Sequence, residues 1–242
     1  MDATDARLLV VGATGELGSR IAARAAQQGA LVVPAGRDTE RLAAIGRRLR
    51  APRTLAFDAY DLERCTALAA EAAARLGGLD AVLVAVGSAA FARAEDSSAE
   101  IDEHLFTVNT LAPIAVLRGA LRVLGDGGAV GAVTGIVVER PTATAGAYGA
   151  SKSALAGWLD TVRVEQRRNR VTVLDARPPH LRTGFAERAV AGRPPRLPAG
   201  SDPGPWADAI LDGLLGGASL VRPDPEDVGR PVVVGAARPV AG

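Results

Sequence analysis

Two residues near the middle of the chain have types and a spacing that suit proton transfer. Tyr148 and Lys152 lie four positions apart in the segment YGASK, and a helix there places both side chains on one face. A tyrosine hydroxyl, with an ordinary pKa of about 10, is a poor acid or base at neutral pH, and a nearby ammonium favours its ionised form. Lys152 is the only lysine among 28 basic residues, and the other 27 are Arg. This indicates that position 152 requires an ammonium rather than a guanidinium. We therefore predict that Tyr148 is a general acid or base supported by Lys152, the alternative being a half-buried tyrosine beside a surface lysine.

A glycine-rich turn near the start of the chain is a second chemical signal. The apolar run Leu8–Val11 leads into Gly12-Ala13-Thr14-Gly15-Glu16-Leu17-Gly18, where we expect a helix to begin. Glycines spaced in this way permit a tight turn, let backbone N–H groups approach a pyrophosphate, and allow the helix to pack closely on a sheet. The helix N-terminus adds partial positive charge. We predict a dinucleotide site here, with a plain tight turn as the alternative.

The residues after the second predicted strand bear on which dinucleotide is bound. A carboxylate about 20 positions beyond the glycines is typical of NAD sites, whereas an Arg suits the 2′-phosphate of NADP. Here Gly36 precedes Arg37, and the nearest acid, Asp38, comes one position later. The sequence therefore favours NADP(H) over NAD(H), the alternative being that Arg37 is a solvated surface residue.

Short β-type runs alternate with longer Ala-rich amphipathic segments along the chain. Strands are predicted at Leu8–Val11, Leu31–Val33, Thr54–Phe57, Ala81–Val86, Ala129–Val133, Val171–Ala176 and Val232–Val234. Helices are predicted at Leu17–Gln28, Thr39–Leu49, Leu62–Arg75, Ala99–Thr107, Pro113–Leu124, Gly149–Gln166 and Trp206–Leu215. This alternation predicts a single-domain α/β fold, a doubly wound parallel sheet (a Rossmann fold) with helices on both faces.

The last quarter of the chain has a different texture. Residues 178–205 contain seven of the fifteen prolines, which predicts a semi-rigid lid over a binding site. We expect the domain to cover residues 1–235 and a flexible tail to cover 236–242.

Together these features resemble the short-chain dehydrogenase/reductase family over nearly the whole chain. The residues that carry the resemblance are the turn Gly12–Gly18, Asp58, Val108-Asn109, Tyr148 with Lys152, Pro178 and Thr183. The resemblance implies hydride transfer between nicotinamide C4 and a carbonyl or carbinol carbon, with Tyr148 as proton donor or acceptor. It also implies that Asn109 holds a water in a relay to Lys152 and that Asp58 contacts the adenine amine.

The resemblance implies the following site. The cofactor-binding residues are Gly12, Thr14, Gly15, Glu16, Leu17, Gly18, Arg37, Asp58, Ala59, Ala85, Val86, Gly87, Tyr148, Lys152, Pro178 and Thr183. The catalytic residues are Tyr148, Lys152 and Asn109, with Thr134 as a candidate, and the candidate substrate contacts are Gly135, His180 and Phe185. For His180 the alternative is a polar loop residue.

The sequence departs from the family pattern at four places, and one of them concerns the reaction. The first departure is in the turn, where Val11 replaces a Thr and Glu16 replaces a Gly. The second is Val84-Ala85-Val86-Gly87 in place of Asn-Asn-Ala-Gly, and the third is Pro179 in place of a glycine. The fourth is Gly135, which stands where the family has a catalytic serine, thirteen residues before the tyrosine. Thr134 is adjacent, but neighbours on a strand face opposite sides unless the backbone shifts. Either Thr134, the substrate or a water supplies the missing donor, or the redox reaction has been lost.

Composition excludes several other classes. A formal net charge of +1 does not suit a strongly basic nucleic-acid-binding protein, and one Cys and two His are too few for a Cys- or His-ligated metal. The acidic N-terminus is unlike a signal peptide, and the apolar runs 81–91 and 129–138 are shorter than the about 18 residues of a membrane span. We expect a cytoplasmic protein with a small-molecule substrate and no nucleic-acid or membrane partner.

The family resemblance also bears on assembly. The helices that contain Leu117, Leu121, Trp158 and Leu159 commonly pair across a dimer in that family, often within a tetramer. A homodimer or homotetramer is therefore expected, with core packing as the competing explanation of these side chains.

Three functions remain open on the sequence. The leading one is an NADPH-dependent carbonyl reductase, or the reverse dehydrogenase, for a small or medium apolar molecule. Gly135 motivates a non-redox alternative such as cyclisation, elimination or isomerisation. A nucleotide sensor without catalysis is the third, although a sensor needs none of Tyr148, Lys152 and Asn109.

Tyr60 is interpreted as structural and His104 as a surface or interface residue.

Overall fold

The computed structural model describes residue 1 and residues 3–235, so the predicted tail at 236–242 lies outside the described residues. The strands are β1 Arg7–Val11, β2 Leu31–Gly36, β3 Leu55–Ala56, β4 Ala81–Val84, β5 Ala129–Val133, β6 Thr172–Ala176, β7 Leu220–Pro223 and β8 Pro231–Val234. The α-helices are α1 Glu16–Gln27, α2 Thr39–Leu49, α3 Leu62–Leu76, α4 Ala99–Phe106, α5 Ala112–Leu121, α6 Gly146–Glu165 and α7 Pro203–Leu215. A π-helical segment, Thr107–Leu111, joins α4 to α5.

The strands form one sheet in the order β3-β2-β1-β4-β5-β6-β7-β8. All neighbouring pairs are parallel except β7 and β8. The strand order reverses direction between β1 and β4, and ligands of such sheets bind at the carboxyl ends of the strands at that point. The predicted doubly wound α/β fold is confirmed.

The sheet is covered on both faces, which explains why its central strands are apolar without alternation. Along β1, Leu9 and Val11 pack into a core completed by α3, α5 and α6, whereas Leu8 and Val10 pack into a second core completed by α1 and α7. Because successive strand residues face opposite sides, one apolar strand serves both cores. β1 and β4 therefore lie between two layers of helices.

Several predicted boundaries need correction. Strand β7 was not expected, and β8 pairs with it antiparallel, because only a short loop joins them and a parallel pairing needs a long crossover. Helix α6 begins at Gly146 rather than Gly149, so Tyr148 lies inside its first turn. Helix α7 begins at Pro203, where a proline at the first helical position is well tolerated, so the lid ends before that residue.

The lid is held against the loop that follows β4. Backbone hydrogen bonds join Phe91 N–H to Ala191 O at 3.0 Å and Val190 N–H to Ala89 O at 2.8 Å. Ala186 packs in a small apolar cluster with Ala89, Phe91 and Ala145, against which Tyr148 also rests. The proline-rich segment is therefore joined to α6 by apolar contacts.

The helices considered for a subunit interface contribute mainly to the core. Leu117 and Leu159 are fully buried, so core packing accounts for them, while Trp158 and Leu121 are partly buried against the same core. The homodimer or homotetramer stays a prediction.

Helix 99–121 is long and apolar enough to cross a membrane by length and composition, and 56% of its most apolar window is buried inside the fold, as in a core helix.

A pair of glycine substitutions tests the close packing of α5 on α3. A Cβ at Gly119 would lie 2.0 Å from the carbonyl oxygen of Thr66, so we expect Gly119→Ala to lower the free energy of unfolding by about 1–3 kcal/mol. Gly157, in the exposed middle of α6, has open space around it, so Gly157→Ala should raise that free energy by about 0.5–1 kcal/mol. Urea unfolding measures both, and equal shifts would contradict the packing.

Candidate active site

The turn after β1 has the shape of a phosphate cradle. Gly15 is the N-cap of α1 and makes no side-chain capping bond, which leaves the helix N-terminus available to an anion. A Cβ at Gly12 would lie 2.6 Å from Ala85 O, and one at Gly18 would lie 2.4 Å from Gly12 O. Both positions therefore require glycine, because the turn packs on the loop after β4 and the helix packs on the turn. Glu16 is ion-paired with Arg20 at 2.7 Å.

The end of β2 packs closely against the side chain of Thr14. A Cβ at Gly36 would lie 2.6 Å from Thr14 Cγ2, so a side chain there would displace Thr14. Asp38 is the N-cap of α2 and accepts the N–H of Arg41 at 2.9 Å. Arg37 is exposed at the carboxyl edge of the sheet. An exposed guanidinium and a carboxylate that caps a helix thus lie directly after β2.

Lys152 is buried at the carboxyl ends of two central strands. It is 3% exposed, and its Nζ donates to Val133 O at 3.0 Å and to Val86 O at 3.2 Å. Burial lowers the pKa of Lys152 to about 8, and the negative charge of Asp175 partly opposes that shift. The ammonium therefore links α6 to the ends of β4 and β5, at an electrostatic cost.

Tyr148 lies between Gly135 and the lid. A Cβ at Gly135 would be 4.0 Å from the Tyr148 hydroxyl oxygen and 3.8 Å from Pro178 O. The ring of Phe185 is 6.1 Å from the Tyr148 ring, tilted by 48°. Burial raises the pKa of Tyr148 above its usual value, so the expected lowering by Lys152 is wrong for this structure. Desolvation of the phenolate dominates.

Asn109 holds the turn that follows β4. Its side chain is fully buried; Oδ1 accepts the N–H of Ser88 at 2.8 Å, and Nδ2 donates to Ser88 O at 2.9 Å and to Ser151 Oγ at 3.0 Å. Ser151 Oγ in turn donates to Tyr148 O at 2.8 Å. Asn109 therefore connects the loop after β4 to the helix that presents Tyr148. Its predicted role in holding a water stays a prediction.

The candidate role of Thr134 needs correction. Thr134 Oγ1 donates to Asp175 Oδ1 at 2.5 Å and to Ala176 O at 3.4 Å, so its hydroxyl is directed toward β6. Gly135, with φ of +93°, is the position whose Cβ would face Tyr148. The backbone shift that would turn Thr134 toward Tyr148 is not present.

The lid brings some of its predicted residues to the site. Phe185 Cε2 lies 3.5 Å from the Cβ position of Gly87, and the same point is 3.2 Å from Lys152 Nζ. The carbonyl of Pro178 accepts the N–H of Ile136 at 2.9 Å, which joins the start of the lid to the loop after β5. The N–H of Thr183 donates to Leu181 O at 2.7 Å in the same turn.

The remaining predicted residues lie around this edge of the sheet. His180 accepts the N–H of Ser201 through its carbonyl at 2.9 Å, and its side-chain role stays a prediction. Asp58, with Ala59 beside it, lies after β3 and accepts the N–H of Tyr60 at 3.0 Å.

Sequence reasoning missed a hydrogen-bonded row of side chains next to Asn109. The Tyr60 hydroxyl lies 2.7 Å from His104 Nδ1, and His104 Nε2 lies 2.8 Å from Ser88 Oγ. Tyr60 and His104 are thus bonded to each other rather than independent structural and surface residues. Their separation of 44 positions leaves no local pattern, although Ser88 directly follows Gly87 and could have been singled out for that reason.

Comparisons with known proteins identify the family of this chain. The family model described as short chain dehydrogenase matches residues 6–193. A 3beta-hydroxysteroid dehydrogenase from Mediterraneibacter gnavus is 29% identical over 220 residues, covering 85% of this chain and 79% of the relative. An uncharacterized oxidoreductase from Staphylococcus epidermidis is 26% identical over 209 residues, covering 85% and 89%.

Solved structures share the fold. A short chain dehydrogenase from Burkholderia cenocepacia in complex with NADP superimposes with a TM-score of 0.78 at 24% identity, covering 88% of this chain and 92% of that one. A dehydrogenase/reductase from Sinorhizobium meliloti gives a TM-score of 0.76 at 25% identity, covering 87% and 88%. The chain belongs to the short-chain dehydrogenase/reductase family of oxidoreductases.

The buried ammonium predicts a specific pH dependence of stability. The folded-state pKa of Lys152 is lowered from 10.5 to about 8, so from about pH 8 to 10.5 the unfolded chain holds a proton that the folded protein has released. Wild-type stability therefore gains from this group as pH rises through that window, by up to about 3 kcal/mol, and Lys152→Met should not show the gain.

Urea unfolding of both proteins at several pH values measures this difference. The pH dependences of Tyr148 and Cys65 are common to both proteins and cancel in the comparison. A variant-minus-wild-type difference that stays constant from pH 7 to 10 would contradict the buried, charged Lys152.

Proposed function

We propose that this protein is an NADPH-dependent carbonyl reductase, or the reverse dehydrogenase, acting on a small to medium apolar molecule. The observation that carries the proposal is the position of Tyr148 and Lys152 on one turn of α6, at the carboxyl ends of β4 and β5. The glycine cradle after β1 opens at the same edge of the sheet. The proton-transfer pair and the phosphate cradle are thus arranged for one extended dinucleotide and one substrate.

The cradle fits a dinucleotide because Gly12 and Gly18 let the turn pack closely on the loop after β4 and on α1, and the N-terminus of α1 has no side-chain cap. A preference for NADPH is supported by the exposed Arg37 and by Gly36, where a side chain such as a carboxylate would have to displace Thr14. The Burkholderia cenocepacia relative was crystallised with NADP, which is in keeping with this assignment. When bound, the nicotinamide supplies or accepts the hydride.

The chain's own residues handle the proton. In the reductive direction, Tyr148 Oη donates its proton to the substrate oxygen, and in the oxidative direction it accepts one. The raised pKa of Tyr148 keeps the hydroxyl protonated, which suits the reductive direction better than the oxidative one, where a phenolate must accept the proton. Lys152 fixes the helix by binding Val86 O and Val133 O, and with a pKa of about 8 it can exchange a proton near neutral pH.

The surroundings of Tyr148 suit an apolar substrate. Phe91, Phe185 and Leu197 belong to or rest on the apolar cluster that Tyr148 contacts. Gly135 leaves space beside the Tyr148 hydroxyl, where a substrate oxygen can approach without competition from a side chain. The steroid activity named for the Mediterraneibacter gnavus relative makes 3-keto and 3-hydroxysteroids a reasonable addition to a panel of aliphatic and aromatic ketones.

Tyr148→Phe tests the proposal directly. We expect turnover with NADPH to fall about 10²- to 10⁴-fold, because the proton donor is lost, while the dissociation constant of NADPH stays within about threefold. Absorbance of the nicotinamide reports turnover, and calorimetry reports binding. Full turnover in the variant would overturn the assignment of Tyr148.

Arg37→Ala tests the cofactor preference. Removal of a charge-assisted contact to a 2′-phosphate should lower the ratio of kcat/KM for NADPH to that for NADH about 10- to 100-fold. Arg168, exposed near the end of α6, provides the matched control, since Arg168→Ala should leave the ratio unchanged. If Arg37→Ala weakens NADPH and NADH equally, Arg37 is not the specificity residue.

Gly135 favours one second candidate, a non-redox reaction such as cyclisation, elimination or isomerisation. No hydroxyl stands beside Tyr148 at the position of the usual serine, because Thr134 is bonded to Asp175. Loss of one donor to a developing oxyanion typically costs about 3–4 kcal/mol of transition-state stabilisation. Product formed at equal rate without NADP(H), with no change in nicotinamide absorbance, would establish the second candidate over the first.

A further inference from the structure

Three side chains form a bridge between two turns at the carboxyl edge of the sheet. The Tyr60–His104–Ser88 bridge consists of the Tyr60 hydroxyl at 2.7 Å from His104 Nδ1 and of His104 Nε2 at 2.8 Å from Ser88 Oγ. Tyr60 follows β3, Ser88 follows β4, and His104 lies on α4 between them. Both ring nitrogens of His104 are therefore occupied by hydroxyl groups that belong to different turns.

Each end of the bridge continues into the proposed cofactor site. At the outer end, the N–H of Tyr60 donates to Asp58 Oδ1 at 3.0 Å, and the Tyr60 ring lies 6.0 Å from the His104 ring. At the inner end, the backbone of Ser88 is held on both sides by Asn109. Lys152 binds the carbonyl of Val86 in the same short turn. The hydrogen bonds thus run from the carboxylate after β3 to the turn that anchors the ammonium.

The π-helical segment explains how two residues of one helix reach the same serine. His104 and Asn109 are five positions apart, and in a regular α-helix such residues point about 140° away from each other. The segment Thr107–Leu111 winds with i→i+5 hydrogen bonds, which brings residues five apart closer to one face. The side chain of His104 then contacts the side chain of Ser88, and the side chain of Asn109 contacts the backbone of Ser88.

We propose that His104 is a positioning residue that acts through Tyr60 and Ser88. When a ligand binds at the turn after β3, this bridge orders the turn Val86–Ser88 beside Lys152. The inference rests on the proposed dinucleotide function. Tyr60 is 61% exposed and its ring is held by His104, so a ligand that orders Asp58 and Tyr60 restricts the bridge directly. The restriction reaches Ser88 because the two hydrogen bonds of His104 connect the Tyr60 hydroxyl to Ser88 Oγ.

Hydrogen–deuterium exchange with 2′,5′-ADP, the adenine half of NADPH, tests this coupling without any turnover. In the wild type, saturation with 2′,5′-ADP should slow exchange in the peptide that contains residues 86–90 about 3- to 10-fold. In Tyr60→Phe and in Ser88→Ala, at matched occupancy, the slowing should be lost. A direct contact between the ligand and residues 86–90 would survive Tyr60→Phe, and that outcome overturns the proposal.

A double-mutant cycle and steady-state kinetics distinguish the bridge from a merely structural contact. Because the two links act in series, Tyr60→Phe combined with Ser88→Ala should raise the KM for NADPH no more than either change alone, about 3- to 10-fold, with kcat within about twofold. His104→Ala should match the double variant, and His104→Gln, whose amide can reach Ser88 but not Tyr60, should behave as Tyr60→Phe does. Additive effects would overturn the series arrangement.

Two controls separate this proposal from the function on which it rests. Glu103→Gln, an exposed neighbour of His104 on α4, should leave both exchange and KM unchanged. If the wild type binds 2′,5′-ADP and NADPH but the bridge variants are indistinguishable from it, only the positioning role fails. If the wild type binds neither ligand, the proposed function fails and the bridge has no cofactor to position.

Discussion

The site depends on one buried ammonium. Lys152 Nζ is held by Val133 O at the end of β5 and by Val86 O two residues after the end of β4, so one group joins α6 to this edge of the sheet. Burial of that charge is unfavourable, as its lowered pKa shows, and an apolar side chain would pack there at less cost. A guanidinium is broader and planar and does not fit two converging carbonyls in the same way. This explains a lysine in a chain that otherwise uses arginine.

A second constraint acts on the opposite side of the same turn. Asn109 pairs with both backbone groups of Ser88, much as a neighbouring strand would, although β4 has already ended at Val84. These hydrogen bonds hold the turn in place beyond the end of the strand, and the carbonyl of Val86 in the same turn accepts from Lys152 Nζ. Asn109 can do this because it lies within the π-helical segment, where the helix is locally wider. The wider helix therefore brings Asn109 to the turn, and the turn is ordered by its hydrogen bonds to Asn109.

Much of this arrangement could be predicted from local sequence, and the failures share a cause. The glycine turn, the pair Tyr148 and Lys152, and the first six strands follow patterns within a few residues. The pKa of Tyr148 could not be predicted because its burial depends on the lid, which is distant in sequence. The contact of Tyr60 with His104 has no spacing to reveal it, and β7 is too short and too mixed in polarity to stand out. Such features depend on tertiary contacts.

Gly135 has a consequence for engineering of the site. Its φ of +93° is a conformation that residues with a Cβ adopt only at a cost of about 1–3 kcal/mol. A serine at this position would meet that backbone penalty at once, although its Cβ would already lie 4.0 Å from the Tyr148 hydroxyl oxygen. A hydroxyl introduced beside Tyr148 would therefore lower the free energy of unfolding.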